Sequence, residues 1–229
     1  MKRSKRYISA QSSINRETFY VLIDAIEILK KTPITKFNQS VDIAIVLGID
    51  ASKSEQTVRG AITLPHGVGK TKRVAVFAEG EHAHKASQAG ADIVGTDDLA
   101  KSIKEGVFDF DILIAMPSTM KYVSTLGQIL GPKGLMPNPK LGTVSNDVEI
   151  AVKNAKSGQA IFRNDKAGII HTSVGKINFS SDKIVDNIKT LLSEIQKLKP
   201  SSSKGLFLQK LYVSATMSPS VRIDMSGLR

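Results

Sequence analysis

Residues 41–47 read VDIAIVL, apolar at every second position, a period that predicts a half-buried strand. Upstream, Phe19, Leu22, Ile23, Ile26 and Leu29 share one helical face. Asn15 is placed to cap a helix running to about Lys31, which Thr32 and Pro33 would end. Near the C-terminus, Ile184, Ile188, Leu191, Leu192 and Ile195 recur at helical spacing and predict a long helix from Ser181 to about Leu198. Short apolar runs at 160–163, 168–172, 206–215 and 221–224 predict further strands.

Between two turn-rich breaks, LPHGVGKT at 64–71 and KSGQ at 156–159, the pattern changes. Strand-like runs at 73–77, 92–94 and 111–115 alternate with helical stretches at 81–89, 97–105 and 119–130, and a last helix is expected over 146–155. Repeated βα units imply a parallel sheet with helices on both faces. The N-terminal flank, one helix and one strand, cannot bury a core alone. The reading is therefore a two-domain chain of α/β and α+β class: residues 1–67 and 159–229 form a discontinuous α+β domain, into which an α/β domain of residues 68–158 is inserted.

Composition adds the partner class. The 229 residues contain no cysteine, which excludes disulfides, thiolate metal sites and a cysteine nucleophile. No apolar run approaches the roughly 18 residues of a membrane span, and the basic N-terminus lacks an apolar stretch of signal-peptide length; a soluble, unexported chain with no membrane partner is expected. The formal charge is +11, but residues 70–157 hold 11 basic and 10 acidic side chains, while the flanks hold 21 and 11. A polyanion is thus the expected partner, with nucleic acid leading, and the flanks are its expected site.

Catalytic and cofactor motifs fail on inspection. Gly69, Lys70 and Thr71 suggest a phosphate loop, yet Leu64 stands where its first glycine belongs, and a strand rather than a helix follows. His82 and His84 lie two apart on a predicted helix, about 200° around its axis, so they are expected to be surface histidines rather than a metal pair. Gly127, Gly131 and Gly134 follow a helix, so the dinucleotide fingerprint is absent. Asp97 and Asp98 suit a helix start, and Asp109 and Asp111 flank a strand start. No cofactor or metal is expected. A nucleotide- or anion-binding enzyme using the inserted domain remains the alternative, opposed by these failures and by the near-neutral middle segment.

Binding candidates lie in the flanks. Lys36 and Phe37 precede the first strand, either as a cation beside a stacking aromatic or as a core phenylalanine at a strand start. Arg163 and Lys166 border a charged turn, with His171 on the following strand. Thr216, Met217 and Ser218 separate the last two strands where a plain hairpin would favour Asn-Gly, and their hydroxyls suit phosphate or 2′-hydroxyl contacts, with an ordinary loop the competing reading. Gly67, Gly69 and Gly158 mark the two crossings as a hinge. The twelve residues 131–142, GPKGLMPNPKLG, with three prolines and two lysines, are expected to form a functional loop without regular structure.

VRGAITLPHGVGK, GQILGPKGLMPNPKLGTV, FRNDKAGIIHTSVGK and TMSPSVRI, in this order over nearly the whole chain, resemble the ribosomal protein L-one family of the bacterial large subunit. The resemblance implies a discontinuous rRNA-binding domain and an inserted Rossmann-like domain, joined by a two-stranded hinge. It also implies a monomer on the mobile stalk of the large subunit in the cytoplasm, large-subunit rRNA and exit-site tRNA as partners, and repression of translation through its own operon's mRNA. Carried over by position, the RNA-binding surface falls on Lys36, Phe37, Ser40, His171, Ser173, Thr216, Met217 and Ser218. Two positions depart from the family pattern: Ser40 stands for threonine and Ser218 for glycine, the second raising the question of a positive φ there.

Overall fold

The computed structural model describes residues 4–15, 17–32 and 35–227. It divides into two compact units, Met1–Gly69 with Ala160–Arg229, and Lys70–Gln159.

The discontinuous unit is built on an antiparallel sheet of order β7-β1-β8-β9, with β1 Ser40–Leu47, β7 Ile169–Lys176, β8 Leu208–Ala215 and β9 Val221–Ile223. In β1, Val41, Ile43, Ile45 and Leu47 are buried while Ser40, Asp42, Ala44 and Val46 are half-buried, as the period-two pattern requires. The buried face packs with two helices, α2 Leu22–Lys31 and α8 Ser181–Lys197, whose apolar stripes share one core with Ile43, Val174, Leu211 and Val221. The other face lies open, the usual arrangement of a one-sided antiparallel sheet. Two further strands, β2 Arg59–Thr63 and β6 Gln159–Arg163, pair in a small sheet.

The N-terminal helix is shorter than its pattern predicts. A separate helix, α1 Lys5–Ser12, is capped by Ser4, whose Oγ accepts the Tyr7 N–H; α2 begins only at Leu22. Asn15 does not cap a helix: its Oδ1 accepts the Glu17 N–H in a local turn. Tyr20 is extended, bridging to Ile223. Phe19 and Ile23 are consequently exposed rather than on the buried face. Pro33, the expected helix stop, lies outside the described residues.

The second unit carries a parallel sheet of order β4-β3-β5, comprising β3 Val74–Phe77, β4 Ile93–Gly95 and β5 Ile112–Ala115. Every residue of β3 is buried, and its alternate side chains feed two cores. Val74 and Val76 pack with α3 Glu81–Gln88 and α7 Val148–Lys156; Ala75 and Phe77 pack with α4 Asp97–Lys104, α5 Met120–Thr125 and α6 Gly127–Leu130. A helix-covered parallel sheet thus accounts for the continuous apolar runs. The helix expected over 119–130 is broken between Thr125 and Gly127. The loop 131–142 contains a 3-10 turn, Pro139–Leu141, where Asn138 Oδ1 accepts the Lys140 N–H.

Candidate nucleic-acid interface

At one end of the open sheet, three segments converge on Ser40. The Thr216 N–H donates to Ser40 O at 3.0 Å, and the Ser40 N–H donates to Thr216 Oγ1 at 3.1 Å. Lys176, paired with Ser40 across β1 and β7, donates from Nζ to Ser40 Oγ at 2.9 Å. Buried Gln39 donates from Nε2 to Thr216 O at 2.8 Å, and its own carbonyl accepts the Ile177 N–H. This lattice holds two large apolar side chains in solvent: Phe37 is 52% exposed and Met217 62%. Single exposed apolar side chains are ordinary on a protein surface; these two are set apart because both flank one hydrogen-bonded corner. Lys36 is exposed beside Phe37, which answers the alternative of a core phenylalanine.

Met217 has φ 64°, the one non-glycine positive φ among the described residues. Ser218 does not need glycine's freedom, because the left-handed residue is its neighbour. Its N–H closes a turn onto Ala215 O at 2.8 Å, while its buried Oγ has no partner. Unmade bonds of this kind disfavour burial.

His171 and Ser173 lie along β7 on the same sheet, and here register supplies what the sequence did not. His171 is paired with Ala44, Ala44 with Tyr212, and Tyr212 with Arg222, a row across all four strands. Asp42 lies between Ser173 and Ser214 in the adjacent row. The Arg222 guanidinium sits 4.1 Å from the centre of the exposed Phe19 ring. At about 3.3 Å per residue, the His171 row is roughly 13 Å from Ser40. Arg163 and Lys166 are not gathered at the Ser40 corner. Arg163 is exposed on β6, and Lys166 sits in the turn before β7, toward the Leu47 end of β1. That turn is stiffened by Asp165, whose carboxylate accepts N–H groups of Ile169 and Ala167 and lies 3.7 Å from His171 Nε2. The Ile169 bond chiefly holds the Asp165 carboxyl below the usual range. Gln39, Lys176, Tyr212 and Arg222 went unnoticed in the sequence, since only strand register brings them to the site.

Of the hinge candidates, Gly67, Gly69 and Gly158 all have positive φ. Gly67 is held within its own unit: buried Asn187 on α8 donates from Nδ2 to Gly67 O and Val174 O, and its Oδ1 accepts the His66 N–H. Lys72 Nζ donates to Gln159 O at 2.8 Å, linking the two connecting segments inside the second unit, and burial pushes this amine's pKa down. His82 and His84 lie on α3, and no group of three or more potential metal ligands occurs among the described residues. None of the described helices is long and apolar enough to cross a membrane.

The chain matches the Ribosomal protein L1p/L10e family over residues 29–219. It is 55% identical to the large ribosomal subunit protein uL1 of Polynucleobacter necessarius over 228 residues, covering 100% of this chain and 98% of that one. It is 51% identical to the uL1 protein of Dichelobacter nodosus over 227 residues (99% and 98%), and 53% to that of Thiobacillus denitrificans over 225 (98% and 97%). A family match across most of the chain, together with full-length relatives above half identity, settles the assignment: the chain belongs to the Ribosomal protein L1p/L10e family, a structural family and not a family of enzymes.

Proposed function

We propose that this chain is a structural constituent of the large ribosomal subunit whose discontinuous unit binds large-subunit rRNA through the Ser40 corner. Phe37 and Met217 supply stacking and apolar contacts, Lys36 and Lys176 meet phosphates, and Thr216, Ser40, His171 and Ser173 address phosphate or 2′-hydroxyl groups. Lys166, in the turn at the Leu47 end of β1, and Arg163, exposed on β6, add phosphate contacts away from the corner. The carrying observation is the pair of exposed apolar side chains, Phe37 and Met217, fixed on either side of the hydrogen-bonded Ser40 and Thr216. The charge distribution supports it: this unit holds the 21 basic and 11 acidic residues of the flanks.

In this reading the inserted unit swings about Gly69 and Gly158, with Gly67 the anchored end of its crossing, on the mobile stalk, following deacylated tRNA as it leaves the exit site. The Ser40 corner also binds a similar fold in the operon's own mRNA, so rRNA and mRNA compete and free protein represses its own synthesis. Crosslinking the chain to cellular RNA and sequencing the bound fragments tests the reading. One enriched large-subunit rRNA site is expected, with a second in the cognate mRNA; diffuse recovery without an enriched site would overturn it.

A further inference from the structure

Beside the Ser40 corner lies a polar depression of about 470 Å³, within the roughly 300–1,000 Å³ of small-ligand clefts. Phe37 forms one wall and half-buried Ile177 another. The walls are braced from behind. Lys30 Nζ on α2 donates to Phe179 O at 2.6 Å and Ser181 Oγ at 3.2 Å, Thr35 Oγ1 donates to Phe37 O at 3.2 Å, and Gln39 is tied to Thr216. By contrast, the side-chain amides of Asn38 and Asn178, which also line it, make no hydrogen bond among the described residues, and both residues are exposed.

We infer that this depression receives a single unpaired nucleobase of the bound RNA, stacked on Phe37 and read along its edge by Asn38 and Asn178. A carboxamide offers one donor and one acceptor side by side, the complement of a base edge; the N6 and N7 edge of adenine is its best match. A phosphate would use neither the ring nor the amide acceptors, and a paired base could not leave its stack to enter. Lys36, also on the rim, is suited to the phosphate of the same nucleotide. This rests on the RNA-binding reading above and adds to it the part of RNA recognised here.

The test uses the full chain and the rRNA fragment recovered by crosslinking. The adenine N7 edge is probed with diethyl pyrocarbonate and backbone riboses with hydroxyl radical, for the native chain and for the surface variants Asn38→Ala and Asn178→Ala. The expected result is one unpaired adenine shielded by the native chain and reactive with either variant, backbone protection unchanged, and affinity about tenfold lower. Identical base protection and affinity for native and variant chains would overturn the inference while leaving the RNA interface intact. Absence of any protection by the native chain would overturn both.

Discussion

Ser40 and Thr216 are tied by reciprocal hydrogen bonds: the Thr216 N–H reaches Ser40 O at 3.0 Å, and the Ser40 N–H reaches Thr216 Oγ1 at 3.1 Å. The side chain of one residue thereby completes the ladder at the end of β1 and fixes the Met217 loop against the segment that carries Phe37. Thr216→Val keeps the volume and deletes the hydroxyl, leaving the half-buried Ser40 N–H unpaired. Stability should fall by about 1 kcal/mol, and RNA affinity should fall as the loop loosens, whereas Thr216→Ser should retain both. Chemical denaturation and equilibrium RNA binding check this; an unchanged affinity for Thr216→Val would separate the bond from recognition.

Phe37 and Met217 contribute little to the core because both are more than half exposed. Phe37→Ala and Met217→Ala should therefore leave the melting temperature nearly unchanged, while a lost stacking contact at Phe37 weakens RNA binding by about 1–3 kcal/mol. A large drop in melting temperature with unaltered affinity would make these core residues instead.

The Ser218 Oγ is buried without a partner. Ser218→Gly should accordingly leave stability unchanged or raise it by about 1 kcal/mol, since removing the hydroxyl ends an unmet desolvation. RNA affinity should hold or rise. Loss of affinity in calorimetric titration would show that this hydroxyl turns to the RNA on binding.

Much of the fold is legible from local periodicity, and the exceptions share a cause. The alternation of residues 41–47 and the stripe from Ile184 to Ile195 each report a single buried face, so β1 and α8 follow from the sequence. Phe19 and Ile23 carry a helical spacing, but Tyr20 between them pairs with Ile223, some two hundred positions away, and that non-local bond sets where α2 begins. Strand β2 was hidden by Gly60, which reads as a breaker; a Cβ there would lie 2.8 Å from the Phe162 ring, so the glycine permits close packing. Strand β7 similarly runs on to Lys176 through Gly175, beyond the residues 168–172 its apolar run suggests. At the site, Thr216, Met217 and Phe37 stand out as residue types in unusual places. The contributions of Gln39, Lys176 and the Tyr212–Arg222 pair depend on register, which no local pattern encodes.

In the inserted unit, the Asp92 carboxylate accepts bonds from Lys156 Nζ and the Val74 N–H, and these, the lysine first, lower its pKa from 3.8. Because the folded value lies below the unfolded one, the stabilisation is fully present above about 3.8 and disappears as pH falls through the lowered folded value. The pair is partly exposed, so Asp92→Asn should cost no more than about 1 kcal/mol at neutral pH. Amide hydrogen exchange of β3 should show wild-type protection declining on acidification, with a flatter profile in Asp92→Asn. Parallel profiles would mean that this ion pair does not anchor the strand.

If RNA recognition belongs to the discontinuous unit, residues 1–67 joined to 159–229 through a short linker should suffice for it, and affinity for the crosslinked rRNA fragment over a range of salt measures this. That unit has its own core and 21 basic against 11 acidic side chains, so it should fold and keep most of the full chain's specific affinity, falling steeply with salt as phosphate contacts release counterions. A folded outer unit without specific affinity, alongside an isolated inserted unit that binds the fragment, would contradict the account.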